Sequence, residues 1–180
     1  MNFFQAIILG IVQALTEYLP VSSSAHIRII GDLMLGADPG AAFTAIIQIG
    51  TELAVILYFR RDIINILSHW FGCLFGKNGP DWRARMGRGD KYATLGWNVI
   101  VGSIPIIILG FTLQNIIETS LRNLWITVTV LFLFGLLLWI VDARSRQIKT
   151  MDDMNYRDAF LFGLGQSMAL IPGVSRSGGT

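Results

Sequence analysis

Apolar positions in this chain come in long runs, with neither the strict alternation of a half-buried strand nor the one-sided stripe of a soluble helix. Runs over 43–59 (FTAIIQIGTELAVILYF), 95–113 (LGWNVIVGSIPIIILGFTL) and 124–141 (LWITVTVLFLFGLLLWIV) approach the length of about 20 residues that a helix needs to cross a bilayer. Each predicts a membrane-spanning helix. The second holds Pro105 and Gly110, which predicts a kink. Trp97, Trp125 and Trp139 stand near run ends, where interfacial aromatics collect.

Two other apolar runs, 3–15 and 159–171, are too short to span. Each leads into a proline and then a cluster of Ser and Gly. Non-helical backbone at membrane depth is tolerated only where it is buried in protein or lines a wet cavity. Segments near 3–35 and 159–180 therefore read as re-entrant hairpins of broken helix whose tips line a cavity. The tips echo each other: LPVSSS at 19–24 resembles IPGVSRS at 171–177, with Gln13 and Gln166 upstream. The expected fold class is all-α, a polytopic membrane helix bundle with two short re-entrant hairpins related like inverted repeats. A single integral-membrane domain over 1–180 is expected. The stop directly after SRSGG reads as the N-terminal part of a longer protein.

Composition supports the membrane reading. Of the 180 residues, 53% are hydrophobic and 14% charged, against roughly 25% charged in soluble domains. Mean hydropathy is +0.57. The net charge of +2 gives no reason to expect a nucleic-acid partner. The single Cys73 excludes an internal disulfide framework and reads as an inert structural residue. No basic stretch or small-residue cleavage site marks a cleavable signal peptide, so the first apolar segment is expected to be retained.

The placement of charge gives orientation. Arg60, Arg61, Lys77, Arg83, Arg85, Arg88 and Lys91 lie in one connection; Arg144, Arg146, Lys149 and Arg157 lie in another. Two spans separate these connections, so both fall on one side, which the positive-inside rule makes cytoplasmic. The connection 114–123 and the stretch near Asp38 then face outward. The Gly-rich, charged segment 76–89 reads as a flexible cytoplasmic loop, with His69 exposed or interfacial beside it. Asp152 and Asp153 read as capping or preceding the helix that begins near NYRDAF.

Four groups of residues carry candidate chemistry. Gln13 and Glu17 are spaced to share one helical face and can offer an amide and a carboxylate oxygen to a hard cation such as Mg²⁺ or Ca²⁺. Ser22, Ser23, Ser24 and His26 combine hydroxyls with a base, and a hydroxyl cap is expected for a helix starting near Ala25. The free N–H groups of that helix start suit a phosphate. Arg176 follows an apolar half-helix with no acid near it in sequence. An arginine at membrane depth marks a functional site, and its planar fork matches phosphate oxygens. Its neighbours Ser175, Ser177, Gly178 and Thr180 let backbone N–H groups wrap an anion. Lastly, Gln48 and Glu52 lie inside the first span, at a spacing suited to a hydrogen-bonded pair or to a cavity lining.

At these motifs the chain resembles the undecaprenyl-diphosphate phosphatase family, also called the bacitracin-resistance or UppP/BacA family. The resemblance rests on the acidic box ending in Glu17, PVSSSAH at 20–26, IQIGTELAV at 47–55, GSIPIIILG at 102–110, DDMNYRDAF leading to Gln166, and ALIPGVSRSGGT at 169–180. It covers essentially the whole chain, and family members are about half as long again. Gln13 gives the Gln form of the [E/Q]xxxE box, where many relatives carry Glu. Ser24 and Ala25 replace the commoner Thr and Gly, and Gly179 stands where Ala is common.

The resemblance implies hydrolysis of undecaprenyl diphosphate to the monophosphate. That reaction recycles the lipid carrier for cell-wall polymers and underlies bacitracin resistance. It implies a multi-pass protein of the bacterial cytoplasmic membrane with an outward-facing site. Glu17, Ser23, His26 and Arg176 are the implied catalytic residues, with Ser175 and Ser177 as phosphate contacts. The expected partners are a polyprenyl diphosphate lipid and membrane lipids, with a homodimer left open. The rival readings are a transporter or flippase for a phosphate-bearing lipid or anion, and a lipid-phosphate hydrolase of the acid-phosphatase type. The second lacks the further downstream His that would complete its set.

Overall fold

The structure, a computed structural model, describes residues 1–118, 123–145, 150 and 153–179. All regular elements among the described residues are helical. The first hairpin pairs α1 (Phe3–Thr16) with α2 (Ser23–Leu35). Asn2 caps α1 by accepting from Gln5 N–H, and the Gln5 side chain reaches back to Asn2 N–H. Gln5 Nε2 also donates to the Met34 carbonyl at 3.3 Å. The start of α1 therefore lies beside the end of α2, so the two helices run antiparallel with their tip at 17–22.

Three helices match the long apolar runs: α3 (Ala41–Tyr58), α6 (Lys91–Glu118) and α7 (Leu124–Arg144). All three are long and apolar enough to cross a membrane, and only 6% of each apolar window is buried within the chain. So much exposed apolar surface suits a lipid environment and not water. Helix α6 extends past both ends of its apolar run and continues through Pro105. Trp125 and Trp139 are exposed, as interfacial aromatics should be, whereas Trp97 stacks edge-on against Trp70.

Between α3 and α6 lies a helix that the long apolar runs do not predict. Helix α4 (Arg60–Leu74) follows α3 directly and packs on α6. Its apolar residues Ile63, Ile66, Trp70 and Leu74 recur at helical spacing among polar ones, a pattern masked by the basic residues at its start. The segment 76–89 was expected to be a flexible loop, but it folds back on the bundle. It includes the single turn α5 (Trp82–Arg85). Thr94 Oγ1 donates to the Gly87 carbonyl at 2.8 Å, Trp97 Nε1 to Arg85 at 3.2 Å and Tyr156 Oη to Met86 at 2.9 Å.

Asp90 anchors this segment. It takes His69 Nδ1 at 2.8 Å and Ala93 N–H at 3.1 Å. Burial pushes the Asp90 carboxyl upward, but the His69 and Ala93 hydrogen bonds, the His69 charge and Asn78 outweigh it and hold the group below its ordinary value. Cys73 is buried, as an inert structural thiol should be. Burial, followed by the Asp90 charge and contact, raises its pKa, against a smaller opposing effect of Lys77.

Helix α8 (Tyr156–Ser167) lies against α6 with almost nothing between the backbones. A Cβ on Gly163 would sit 2.1 Å from the Gly102 carbonyl oxygen. Asn155, not Asp152 or Asp153, caps α8, with Asp158 completing the box. Asp153 instead accepts from Thr150 N–H and Oγ1 at 3.0 and 2.7 Å, and Asp152 lies outside the described residues. A short 3₁₀ turn (Met168–Leu170) and the turn at Pro172 lead to α9 (Arg176–Gly179).

Candidate functional site

The first tip is organised around Glu17. Its Oε2 accepts from Gln13 Nε2 at 2.9 Å and from Ser23 Oγ at 2.5 Å. Gln13 reaches it because residues four apart share a helical face. Ser23 reaches it because the chain reverses between α1 and α2. Gln13 is 2% exposed, and its Oε1 is buried without a hydrogen-bond partner. The amide thus turns its N–H₂ to the carboxylate and its oxygen away. Joint ligation of a cation by Gln13 and Glu17 would need the opposite amide orientation.

The hydroxyl cap expected near Ala25 is absent. Helix α2 starts at Ser23, and Ser22 at the capping position makes no side-chain cap bond. Ser22 has φ +61°, the left-handed region, and is the one non-glycine residue there among the described residues. Such a conformation costs about 1–3 kcal/mol and gathers at functional sites. Its Oγ lies 3.3 Å from Ser24 Oγ. Helix α2 thus starts without a side-chain cap, and its N-terminus faces the cavity with Ser22, Ser23 and Ser24 in its lining.

His26 Nδ1 lies 2.9 Å from the Ser22 carbonyl oxygen. A carbonyl only accepts, so Nδ1 carries the proton and Nε2 is the acceptor in the neutral ring. His26 lines neither of the two cavities that Glu17 and Arg176 share.

The second tip folds against α7. Gly173 has φ +105°, and a Cβ there would lie 2.6 Å from the Thr127 carbonyl oxygen, so glycine permits this turn. Ser175 is nearly buried and its Oγ lies 3.2 Å from Ser177 Oγ. Gly178 N–H donates to Ser175 Oγ at 3.3 Å. Arg176 opens α9 with its side chain exposed. Ser177 Oγ donates to the Leu19 carbonyl at 3.1 Å, which joins the two tips directly.

Two cavities lie at this junction. One of about 160 Å³ is lined by Glu17, Ser22, Ser23, Ser24, Gln48, Ser175, Arg176 and Ser177, among others. The other, about 620 Å³, adds Tyr18, Thr51, Glu52 and Gln166 to Glu17, Arg176 and Ser177. Val55, Ile56 and Phe162 form its apolar part. Of the sequence-derived site residues, Glu17, Ser22, Ser23, Ser24, Ser175, Arg176 and Ser177 share a cavity. Gly178 faces a separate, mostly apolar cavity of about 270 Å³. Thr180 lies outside the described residues.

Gln48 and Glu52, read from sequence as a hydrogen-bonded pair or a cavity lining, are both, and Gln166, noted only as an echo of Gln13, joins them at the site. Their signal was present: a carboxylate in the middle of an apolar run, and a glutamine echoing Gln13. Among the described residues no group of three or more His, Cys, Asp or Glu gathers to hold a metal. Glu17 and Glu52 are hard oxygen donors lining one cavity. They suit Mg²⁺ or Ca²⁺ only with phosphate oxygens completing the shell.

Residues 6–180 match the family described as bacitracin resistance protein BacA. Across its whole length the chain is 89% identical to an undecaprenyl-diphosphatase of Bifidobacterium longum subsp. infantis and 71% identical to one of Bifidobacterium adolescentis, covering 61% of each. It is 54% identical to an undecaprenyl-diphosphatase of Micrococcus luteus, covering 62% of that protein. The chain thus spans less than two thirds of the length of these relatives.

Proposed function

The chain belongs to the bacitracin resistance protein BacA family, and on that premise we propose that it hydrolyses undecaprenyl diphosphate to undecaprenyl phosphate and inorganic phosphate. The observation that carries this reading is the Gln13–Glu17–Ser23 hydrogen-bond chain, set in one cavity with Arg176, Ser175 and Ser177. A nucleophile bonded to a base, with the base oriented by a third group, is the arrangement of covalent catalysis. The undecaprenyl-diphosphatase relatives support the substrate class. No observation favours transport, which needs no nucleophile.

The lipid tail lies along the apolar walls at Val55, Ile56 and Phe162, and the diphosphate reaches the two tips. Arg176 and the serine hydroxyls hold phosphate oxygens and oppose the charge that builds on them. Ser23 Oγ attacks the terminal phosphorus and its proton passes to Glu17 Oε2. The bridging P–O bond breaks, and its electron pair leaves on the lipid monophosphate. Water then cleaves the phosphoserine. A divalent cation held by Glu17 and substrate oxygens would supply further charge neutralisation. The site opens outward from a bacterial cytoplasmic membrane, and Arg60, Arg61 and the basic residues of 76–89 lie on the cytoplasmic side.

The test is phosphate release from undecaprenyl diphosphate by the purified protein, with acid quench to trap a covalent phosphate on Ser23. Arg176→Lys keeps the charge and loses the fork; we expect a loss of about 10–100-fold in kcat/KM, equivalent to about 1.5–3 kcal/mol for a charged hydrogen bond. Lipid movement across vesicles without phosphate release would overturn the reading.

A further inference from the structure

The proposed reaction, on which this inference rests, leaves one proton without an acceptor. Once Ser23 has been phosphorylated, Glu17 holds the serine proton and must return it to Ser23 Oγ as that oxygen leaves phosphorus. Water attacking the phosphoserine needs a second base. At the first position of the acidic box the chain offers Gln13, whose amide cannot take a proton at neutral pH. We propose that Glu52, on α3, is the catalytic base that activates this water.

Several observations place Glu52 for this role. It lies within an apolar span, where a carboxylate is costly and marks function. It lines the 620 Å³ cavity together with Glu17, Arg176 and Ser177. Gln48 Nε2 donates to Glu52 Oε1 at 3.0 Å, one turn along α3, just as Gln13 Nε2 donates to Glu17 Oε2 at 2.9 Å along α1. Gln48 itself lines the 160 Å³ cavity that holds Ser23. One face of α3 therefore serves both cavities, and its amide orients the second carboxylate as Gln13 orients the first. The spacing to the first tip is also set: Tyr18 Oη donates to the Thr51 carbonyl at 2.6 Å, tying the residue after Glu17 to the residue before Glu52.

In the proposed step the water oxygen bonds phosphorus as its proton moves to Glu52. The Ser23 Oγ–P bond breaks, and Glu17 returns its proton to Oγ. Inorganic phosphate leaves with both glutamates restored once Glu52 releases its proton to solvent. No further reactant is required.

The test compares the wild-type protein with Glu52→Gln and Glu52→Asp in bilayer nanodiscs, supplied with undecaprenyl diphosphate. For Glu52→Gln we expect a normal burst of undecaprenyl phosphate, accumulation of phosphoserine at position 23, and a fall in steady-state kcat of about 10²–10⁴-fold. Glu52→Asp should restore part of the turnover. Unchanged turnover in Glu52→Gln, or burst and turnover falling together, would overturn the role. A wild-type protein that forms no covalent phosphate while releasing inorganic phosphate overturns this inference through Ser23 and leaves the hydrolase reading standing. A wild-type protein that releases no phosphate overturns the hydrolase reading itself.

Discussion

Ser177 and Leu19 stand 158 positions apart in sequence and are joined by a 3.1 Å hydrogen bond from the Ser177 hydroxyl to the Leu19 carbonyl. Through this contact the two proline-broken tips form one wall of one site. Neither tip encloses the shared cavities alone, because their linings draw on the first tip, α2, α3, α8 and α9 together.

Removing this contact should loosen the site without dissolving the bundle. Ser177→Ala leaves the Leu19 carbonyl short of one donor, a loss of about 0.5–1.5 kcal/mol. Thermal unfolding in detergent should shift by a few degrees, while KM for the lipid diphosphate rises more than kcat falls. An unchanged KM would show that the tips stay apposed by other means.

Glu17 and His26 should separate in kinetics. Glu17 accepts the Ser23 hydroxyl directly, whereas His26 is bonded to its own helix through the Ser22 carbonyl. Glu17→Gln is expected to lower kcat by about 10²–10⁴-fold, the usual worth of a general base. His26→Ala should cost distinctly less. Phosphate release at saturating substrate measures both, and equal losses would reassign the first-step base.

The α6–α8 crossing tolerates no side chain at its closest point. In Gly163→Ala the new methyl would meet the Gly102 carbonyl oxygen at 2.1 Å, so the helices must part. Overpacking of this kind costs about 1–3 kcal/mol. The melting temperature should drop, and activity should fall with it because α8 carries the second tip. Gly135→Ala, where a Cβ meets nothing within 4 Å, is the control.

The segment around Asp90 should loosen in acid. Its carboxyl is held below the ordinary value of 3.8, so its charged hydrogen bonds favour the folded form. For a lowered carboxyl that contribution is complete above the unfolded value and is lost as pH falls through the lower, folded one. Limited proteolysis at 76–89 should therefore be slow at neutral pH and accelerate once pH falls below about 3.8. Asp90→Asn should be cut readily at neutral pH, with little further pH dependence there.

Much of this architecture was legible in the residues because the bilayer imposes blunt rules. Length and apolarity alone mark α3, α6 and α7, and the Pro-Ser-Gly clusters mark both tips. Helix α4 was hidden because Arg60 and Arg61 drew attention to charge, while its apolar face emerges only from helical spacing and packing on α6. The pinning of 76–89 depends on partners such as Thr94 and Tyr156, which a local reading of glycine and charge does not see. Within the site, residue types were readable but not who bonds whom. Ser23 meeting Glu17, and the Gln13 amide oxygen turning away, follow from the chain reversal at 17–22. Glu52 was visible as an out-of-place carboxylate, but only folding brings α3 to the same hollow as Glu17.

Both hydrogen-bond donors to Glu17 come from its own hairpin, which bears on how the chain is made. At typical synthesis rates of 5–20 residues per second, Ser177 leaves the ribosome roughly eight to thirty seconds after Leu19. Throughout that interval the nascent first hairpin must harbour an acidic group in or beside the lipid with its future neighbour not yet translated. Gln13 and Ser23 accompany it from the outset, so insertion need not wait for the rest of the polypeptide to shelter the charge.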